Sequence, residues 1–176
     1  MLVLVIDTSS AAVTAAVAEI GPTTTELRAE RTTVDSRAHA ELLAPSIRAA
    51  LSDADLRPAQ LHAVVVGVGP GPFTGLRVGL VSAAAMADAL DIATYGVGSL
   101  DAIAASPAGA AAPGTLMVAT DARRHEVYWA RYRNGQRFDG PNVSRPGDIA
   151  AAVSISTAIG AGARMYADVL LGHAGA

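Results

Sequence analysis

The residues with the clearest chemical potential form a short polar turn near the start of the chain. Residues 2–6 are a continuous apolar run, and Asp7, Thr8 and Ser9 follow it at once. A carboxylate at the end of a strand can orient a hydrated Mg²⁺, and turn hydroxyl and N–H groups can bind phosphate oxygens. The same residue types also form an Asx turn that only closes a hairpin, and the lack of glycine favours this structural interpretation.

A second distinctive segment is the loop Gly69-Pro-Gly-Pro-Phe-Thr-Gly-Leu-Arg77. Its two Gly-Pro pairs predict a rigid, sharply turning connection. It leads into a helix predicted over residues 74–89 with Thr74 as its N-cap, and N–H groups at a helix start favour anions. A structural strand-to-helix connection is the alternative.

Small residues recur on one face of that predicted helix. They are Gly75, Gly79, Ser82, Ala83 and Ala87. Such a face allows the backbone of a neighbouring element to approach closely. Two neighbours fit this pattern, namely a helix of another protein and the sheet of this chain.

The side chains needed for several kinds of catalysis are missing. The sequence contains no Cys and no Lys, which excludes disulfides, Cys nucleophiles, Walker-type phosphate loops and Schiff bases. His39 lies in a predicted helix, but position 43 is Leu43, so the His pair that a helical metal site needs is lacking. We therefore expect no metal site.

Basic charge is concentrated in residues 121–145, although the net charge of the chain is −3. Six arginines lie there: Arg123, Arg124, Arg131, Arg133, Arg137 and Arg145. A solvated strand face explains such a cluster, and a surface facing a nucleic acid or a partner protein is the other interpretation. The negative net charge argues against a dedicated nucleic-acid clamp.

Apolar periodicity predicts the elements that position these groups. Strands are predicted over residues 2–6, 13–20, 27–34, 61–68, 93–97, 115–120, 127–133 and 155–159, and helices over 36–53, 74–89, 100–105, 148–153 and 163–171. Ser36 and Ser99 are the expected N-caps of two helices, and Asn134-Gly135 predicts a hairpin turn. The first three strands are expected to form an antiparallel meander. Neither a signal peptide nor a membrane span is predicted, so we expect a cytoplasmic protein.

A strand, an Asp and a return strand occur twice, around Asp7 and around Asp121. This repeat predicts the duplicated architecture of actin, sugar kinases and Hsp70. In that superfamily the adenosine lies where Gly160 and Gly162 follow the strand at 155–159, although a plain strand-to-helix turn explains the two glycines equally well.

Five sequence segments together resemble those of the TsaB (YeaZ-like) family. They are Ile6-Asp-Thr-Ser9, Ser36-x-x-His39-x-Glu41-x-Leu43-x-Pro45-x-Ile47, the loop and helix start over residues 69–79, Thr120-Asp-Ala-Arg-Arg124-x-Glu126-Val-Tyr128, and Ile159-Gly-x-Gly162. The resemblance implies an α/β fold of duplicated actin-like (ribonuclease H-like, ASKHA) lobes with mixed sheets. We expect an N-terminal lobe over 1–105 and a smaller lobe over 106–176, short because family members usually continue further.

The resemblance also implies a function. It implies a non-catalytic scaffold that pairs with the catalytic paralogue TsaD, acts with the ATPase TsaE in tRNA threonylcarbamoylation, reaches tRNA through the complex and dimerises when alone. The expected partner interface is His39, Leu42, Leu43, Ile47, Gly75, Gly79, Ser82 and Ala83. A vestigial nucleotide site would comprise Asp7, Thr8, Ser9, Asp121, Gly160 and Gly162. No intrinsic cofactor is expected, and ATP with Mg²⁺ would bind only in the complex. An actin-fold ATP-dependent kinase or a glycoprotease-like metalloenzyme is the alternative.

Overall fold

The computed structural model describes residues 1–153, 155 and 157–172. The chain divides into two units, Met1–Val97 and Gly98–Ala176. The first unit contains β1 (Leu2–Asp7), β2 (Ala12–Ile20), β3 (Thr25–Val34), α1 (His39–Asp53), a 3-10 helix (Pro58–Gln60), β4 (Ala63–Gly67), α2 (Phe73–Leu90) and β5 (Ala93–Val97).

The first unit is a five-stranded mixed sheet in the order β3-β2-β1-β4-β5. The predicted meander is confirmed, since β1 pairs with β2 and β2 with β3 antiparallel, whereas β1–β4 and β4–β5 are parallel. Alternating residues of β1 enter two clusters: Leu4 and Ile6 pack with α1 and α2, while Val3 belongs to a smaller cluster with Ala18 and Ala63. The apolar run at the start of the chain is therefore a central strand.

Helix α1 continues through Pro45 and packs on the sheet with an apolar face at helical spacing. The buried members of this face are Leu43, Ile47, Ala50 and Leu51. The predicted N-cap at Ser36 is wrong, because α1 begins at His39 after Ala38. Asp35 closes the preceding turn instead, with its Oδ1 accepting a hydrogen bond from Arg37 N at 2.8 Å.

The second unit repeats this plan on a smaller scale. It contains α3 (Ser99–Ala104), α4 (Pro107–Ala110), β6 (Thr115–Arg123), β7 (Glu126–Arg133), β8 (Gln136–Ser144), α5 (Pro146–Ala152), β9 (Thr157–Ile159), α6 (Ala161–Met165) and α7 (Ala167–Leu170). Its sheet order is β8-β7-β6-β9, with β6–β7 and β7–β8 antiparallel and β6–β9 parallel. These four strands follow the same order and directions as β3-β2-β1-β4, which confirms the predicted internal repeat.

Several predicted boundaries are corrected in detail. Helix α2 begins at Phe73, so Thr74 lies inside its first turn, and Ser99 is the first residue of α3 with Gly98 as its N-cap. The single helix predicted over 163–171 is two short helices, α6 and α7, separated at Tyr166. Of the strand predicted over 155–159, Thr157–Ile159 is extended, and Ser156 lies outside the described residues.

The division between the units falls before α3, earlier than the predicted boundary at residues 105 and 106. Leu100 and Ala104 of α3 pack with Leu116 and Val118 of β6. The side chain of Asp101 accepts a hydrogen bond from Tyr132 Oη at 2.8 Å. Helix α3 therefore belongs to the second unit by its packing.

Candidate functional site

In the polar turn after β1, Asp7 and Ser9 form hydrogen bonds with each other. Asp7 Oδ1 accepts hydrogen bonds from Ser9 N and Ser9 Oγ, both at 2.7 Å. Thr8 and Ser9 are buried, with 1% and 6% of their surfaces exposed. This is the Asx turn that the structural interpretation predicted.

Thr8 ties this turn to α2. Its Oγ1 donates to Gly75 O at 2.8 Å and accepts from Gly79 N at 3.0 Å. A Cβ on Gly79 would collide with Thr8 Oγ1, so only glycine permits this approach. The small residues at these helix positions therefore serve contact between α2 and β1.

The glycine-proline loop packs against another side of the turn. A Cβ on Gly71 would overlap the carbonyl group of Ser9, so the loop backbone lies directly on the turn. His39, the first residue of α1, donates from Nε2 to Ser10 O at 2.8 Å and is itself buried. The loop and the starts of two helices thus cover Thr8 and Ser9, while Asp7 and Ser10 remain partly exposed.

This packing places most of the predicted partner interface in the interior of the first unit. Six of its residues are buried in the first unit's own interior: His39, Leu43, Ile47, Gly75, Gly79 and Ala83. Leu42 and Ser82 are partly exposed. The small-residue face lies against the chain's own sheet because the absence of large side chains lets the helix lie close to β1.

The opposite face of α2 carries an apolar surface that the sequence analysis missed. Phe73 is 71% exposed and Val81 66% exposed, and the Arg77 guanidinium lies 4.6 Å from the centre of the Phe73 ring. With Thr74 and Val78 these residues line a shallow depression of about 370 Å³, and we call the five residues the outer face of α2. Positions 73, 77 and 81 are offset by two from 75, 79 and 83, which is the spacing of opposite helix faces.

Helix α2 is apolar on its exposed face as well as on its buried face. The helix is long and apolar enough to cross a bilayer by length and composition, yet only 22% of that stretch is buried within the structure. Much of its apolar surface is therefore unburied in the isolated chain. A large exposed apolar patch is typical of an interaction surface.

The second unit brings Asp121, Gly160 and Gly162 together at the ends of β6 and β9. Asp121 Oδ1 accepts from Arg123 N at 2.9 Å, the same i to i+2 contact that Asp7 makes with Ser9. Gly160 has a φ of +105°, and a Cβ there would collide with Ala119 O. The glycines therefore allow close approach to β6, as the plain-turn interpretation predicted.

Most arginines on the strands of the second unit have partners within it. Arg131 Nε donates to Asp139 Oδ2 at 2.9 Å, and this bond holds the pKa of Asp139 below its usual range. Arg137 bonds both carboxylate oxygens of Asp101, at 3.1 and 3.2 Å. Burial, together with the hydrogen bond to Asp101, raises the pKa of Tyr132. These strand arginines thus form a solvated, paired face.

The described residues contain no group of three or more His, Cys, Asp and Glu side chains that could hold a metal ion. Of the predicted vestigial nucleotide residues, Asp7, Thr8 and Ser9 lie together in the first unit, and Asp121, Gly160 and Gly162 lie together in the second.

Removing the Thr8 hydroxyl should destabilise the first unit. Thr8→Val keeps the shape but removes the two buried hydrogen bonds to Gly75 O and Gly79 N, so we expect a loss of about 2 kcal/mol in the free energy of unfolding. Urea denaturation followed by circular dichroism measures it. Thr8→Ser, which keeps the hydroxyl, is the matched control and should lose less. Equal stabilities of the Val and Ser variants would contradict the role given to these bonds.

Known proteins share this sequence and fold. A family model described as "TsaD: tRNA N6-adenosine threonylcarbamoyltransferase" matches residues 28–159. An uncharacterized protein of Mycobacterium leprae is 52% identical over 89% of this chain, and the match spans 42% of its own length. The tRNA threonylcarbamoyladenosine biosynthesis protein TsaB of Bacillus subtilis is 36% identical over 77% of this chain and 57% of its own.

A solved structure of a YeaZ protein has the same fold. YeaZ from Pseudomonas aeruginosa superposes with a TM-score of 0.72 at 27% identity, covering 96% of this chain and 79% of YeaZ. Two mixed sheets with a repeated strand order, in an arrangement that matches YeaZ, define a duplicated actin-like protein of the ASKHA class. Within that class, the chain belongs to the TsaB (YeaZ-like) family.

Proposed function

We propose that this chain is a non-catalytic subunit of the machinery that forms threonylcarbamoyladenosine in tRNA. Family membership supports the pathway, because the named relatives are biosynthesis proteins of this modification. The single structural observation that supports the non-catalytic role is the internal hydrogen bonding of the turn after β1. Its Asp7 carboxylate and its Thr8 and Ser9 hydroxyls bond within the chain, and Gly71 lies on the turn itself.

The rival function is an actin-fold kinase or a glycoprotease-like metalloenzyme. A kinase of this type needs a turn whose N–H groups remain open to phosphate. A metalloenzyme needs a cluster of ligands, and the described residues offer none. Both observations favour the subunit, which by this proposal has no intrinsic cofactor and meets ATP and Mg²⁺ only in the complex with TsaD and the ATPase TsaE.

The partner surface in this proposal is the outer face of α2, in place of the buried small-residue face. Phe73 and Val81 are largely exposed apolar side chains on a rigid helix that begins directly after the glycine-proline loop. An aromatic residue and an arginine at the centre of an exposed apolar surface are typical of interface anchors. The catalytic paralogue TsaD would cover this face, and a second copy of the chain would cover it when TsaD is absent.

Reconstitution tests the proposed function. The chain, TsaD, TsaE, ATP, Mg²⁺ and a threonylcarbamoyl donor are combined with a tRNA substrate, and the modified nucleoside is quantified by mass spectrometry. We expect no product from the chain alone, and product with TsaD and TsaE only when the chain is added. ATP hydrolysis or product formation by the isolated chain that is lost in Asp7→Ala would establish the enzyme instead.

A further inference from the structure

The hairpin between β6 and β7 adopts a backbone that its residues disfavour. Arg123, Arg124 and His125 have φ values of +67°, +52° and +63°, so three consecutive side-chain-bearing residues lie in the left-handed region. That region is costly for residues other than glycine, although asparagine, aspartate and histidine adopt it more often than the rest, so the two arginines are the least suited of the three. Backbone strain of this kind persists only where surrounding contacts maintain it. It is concentrated at functional positions such as ligand-binding sites.

The same unit contains a hairpin of this kind without that strain. Asn134 and Gly135 join β7 to β8 with φ values of +53° and +74°. Asn-Gly is the preferred pair for a two-residue turn with two positive φ values. Turn formation alone therefore does not explain Arg124 and His125, because a well-suited sequence occurs at the next turn of the same sheet.

Fixed contacts hold the strained tip in place. Asp121 Oδ1 accepts from Arg123 N at 2.9 Å, and the strand register shifts between Asp121 and Arg123. All three tip residues are exposed. Among the described residues Arg124 has no ion pair or side-chain hydrogen bond, in contrast to Arg131 and Arg137 on the strands. Arg123 Nε lies 3.9 Å from Asp121 Oδ2, so the uncompensated positive charge of the tip is that of Arg124.

We propose that Arg123, Arg124 and His125 form a phosphate-binding tip that contacts the RNA backbone. This inference rests on the proposed function, which supplies tRNA as the polyanion. A guanidinium group binds phosphate through paired hydrogen bonds. A two-residue hairpin tip is convex, whereas sites for free nucleotides are concave. The repeating phosphates of an RNA chain are therefore the ligand that fits, and with a net charge of −3 attraction to RNA must come from local basic groups such as this tip.

The test replaces the strained tip with the sequence of the relaxed one. Arg124→Asn combined with His125→Gly should raise the urea midpoint of unfolding, because the left-handed backbone is retained by better-suited residues. The same variant should bind tRNA about fivefold more weakly and lower the salt slope by about one. Fluorescence anisotropy with a labelled tRNA transcript, on the chain alone and with TsaD bound, measures the tRNA affinity and its salt slope.

Arg57→Asn, which removes an exposed arginine from the first unit, is the charge-matched control and should leave the salt slope unchanged. Unchanged tRNA affinity in the hairpin variant would overturn the proposal, as would an equal loss in Arg57→Asn. Weaker TsaD binding with unchanged tRNA affinity would make the tip a protein contact and also overturn it. If the wild-type chain fails in reconstitution, the proposed function fails instead, whatever the hairpin variant does.

Discussion

Ala83→Arg is expected to destabilise the first unit strongly, so that it unfolds at moderate denaturant. Ala83 has no exposed surface and packs in the cluster that α2 shares with Ile6 and Val66. An arginine there would have to bury an unpaired charge or push the helix off the sheet, and either change costs about 4 kcal/mol. Since a domain of this size is stable by roughly 5–15 kcal/mol, this loss leaves little or no folded protein at moderate denaturant.

Circular dichroism during urea titration measures the effect. Ala84→Arg is the matched control, because Ala84 is the next residue of α2 and is exposed. Alanine and arginine are both good helix formers, so the control should remain within about 0.5 kcal/mol of the wild type. If the two variants prove equally stable, the small-residue face of α2 does not pack on the sheet.

Val81→Arg is expected to leave the chain folded and to abolish its pairing with TsaD. Val81 is 66% exposed, so the isolated chain can accommodate a guanidinium there without burying it. In a complex covering the outer face of α2, that charge would be desolvated without a partner, which weakens association by about a hundredfold. Isothermal titration calorimetry against purified TsaD gives the affinity, and the elution volume of the chain alone reports homodimerisation.

The control for this variant is Val34→Arg. Val34 is 75% exposed at the end of β3, so the chemical change is the same on another part of the first unit. Pairing should survive Val34→Arg. Phe73→Ala tests a second residue of the outer face and should weaken pairing in the same direction. Full TsaD affinity in both Val81→Arg and Phe73→Ala would place the interface elsewhere.

Together the two arginine variants distinguish the two faces of one helix. Positions 81 and 83 are two residues apart, yet one is expected to control association and the other folding. A folded Ala83→Arg chain that no longer pairs would support the interface first predicted from the sequence. An unfolded Ala83→Arg chain with a folded, unpaired Val81→Arg chain would support the outer face of α2.

Local pattern predicted much of the architecture. The strands predicted at residues 2–6 and 61–68 contain the central parallel strands β1 and β4 (Ala63–Gly67), because a strand buried on both faces requires an uninterrupted apolar sequence. The repeated pattern of a strand, an Asp and a return strand predicted the duplication. In the structure, Asp7 and Asp121 each accept a hydrogen bond from the N–H group two residues later. These features depend on residues close in sequence.

Other features left no unambiguous local pattern. Strand β8 pairs along β7, but its residues Gln136–Ser144 include Gly140 and Pro141 and lack regular alternation, so only the Asn134-Gly135 turn pointed to it. Helix starts were displaced by one to three residues because neighbouring turns, and not the expected Ser or Thr caps, determine where each helix begins.

The sequence by itself determined the fold class, the internal repeat, the family and the absence of Lys and Cys chemistry. Only the tertiary structure decided which neighbour the small residues of α2 contact. Periodicity shows that Gly75, Gly79 and Ala83 share a face, but a partner helix and the chain's own sheet demand the same small side chains. The choice depends on Thr8, which bonds Gly75 O and Gly79 N from far away in the sequence, and such long-range contacts leave no trace in local spacing.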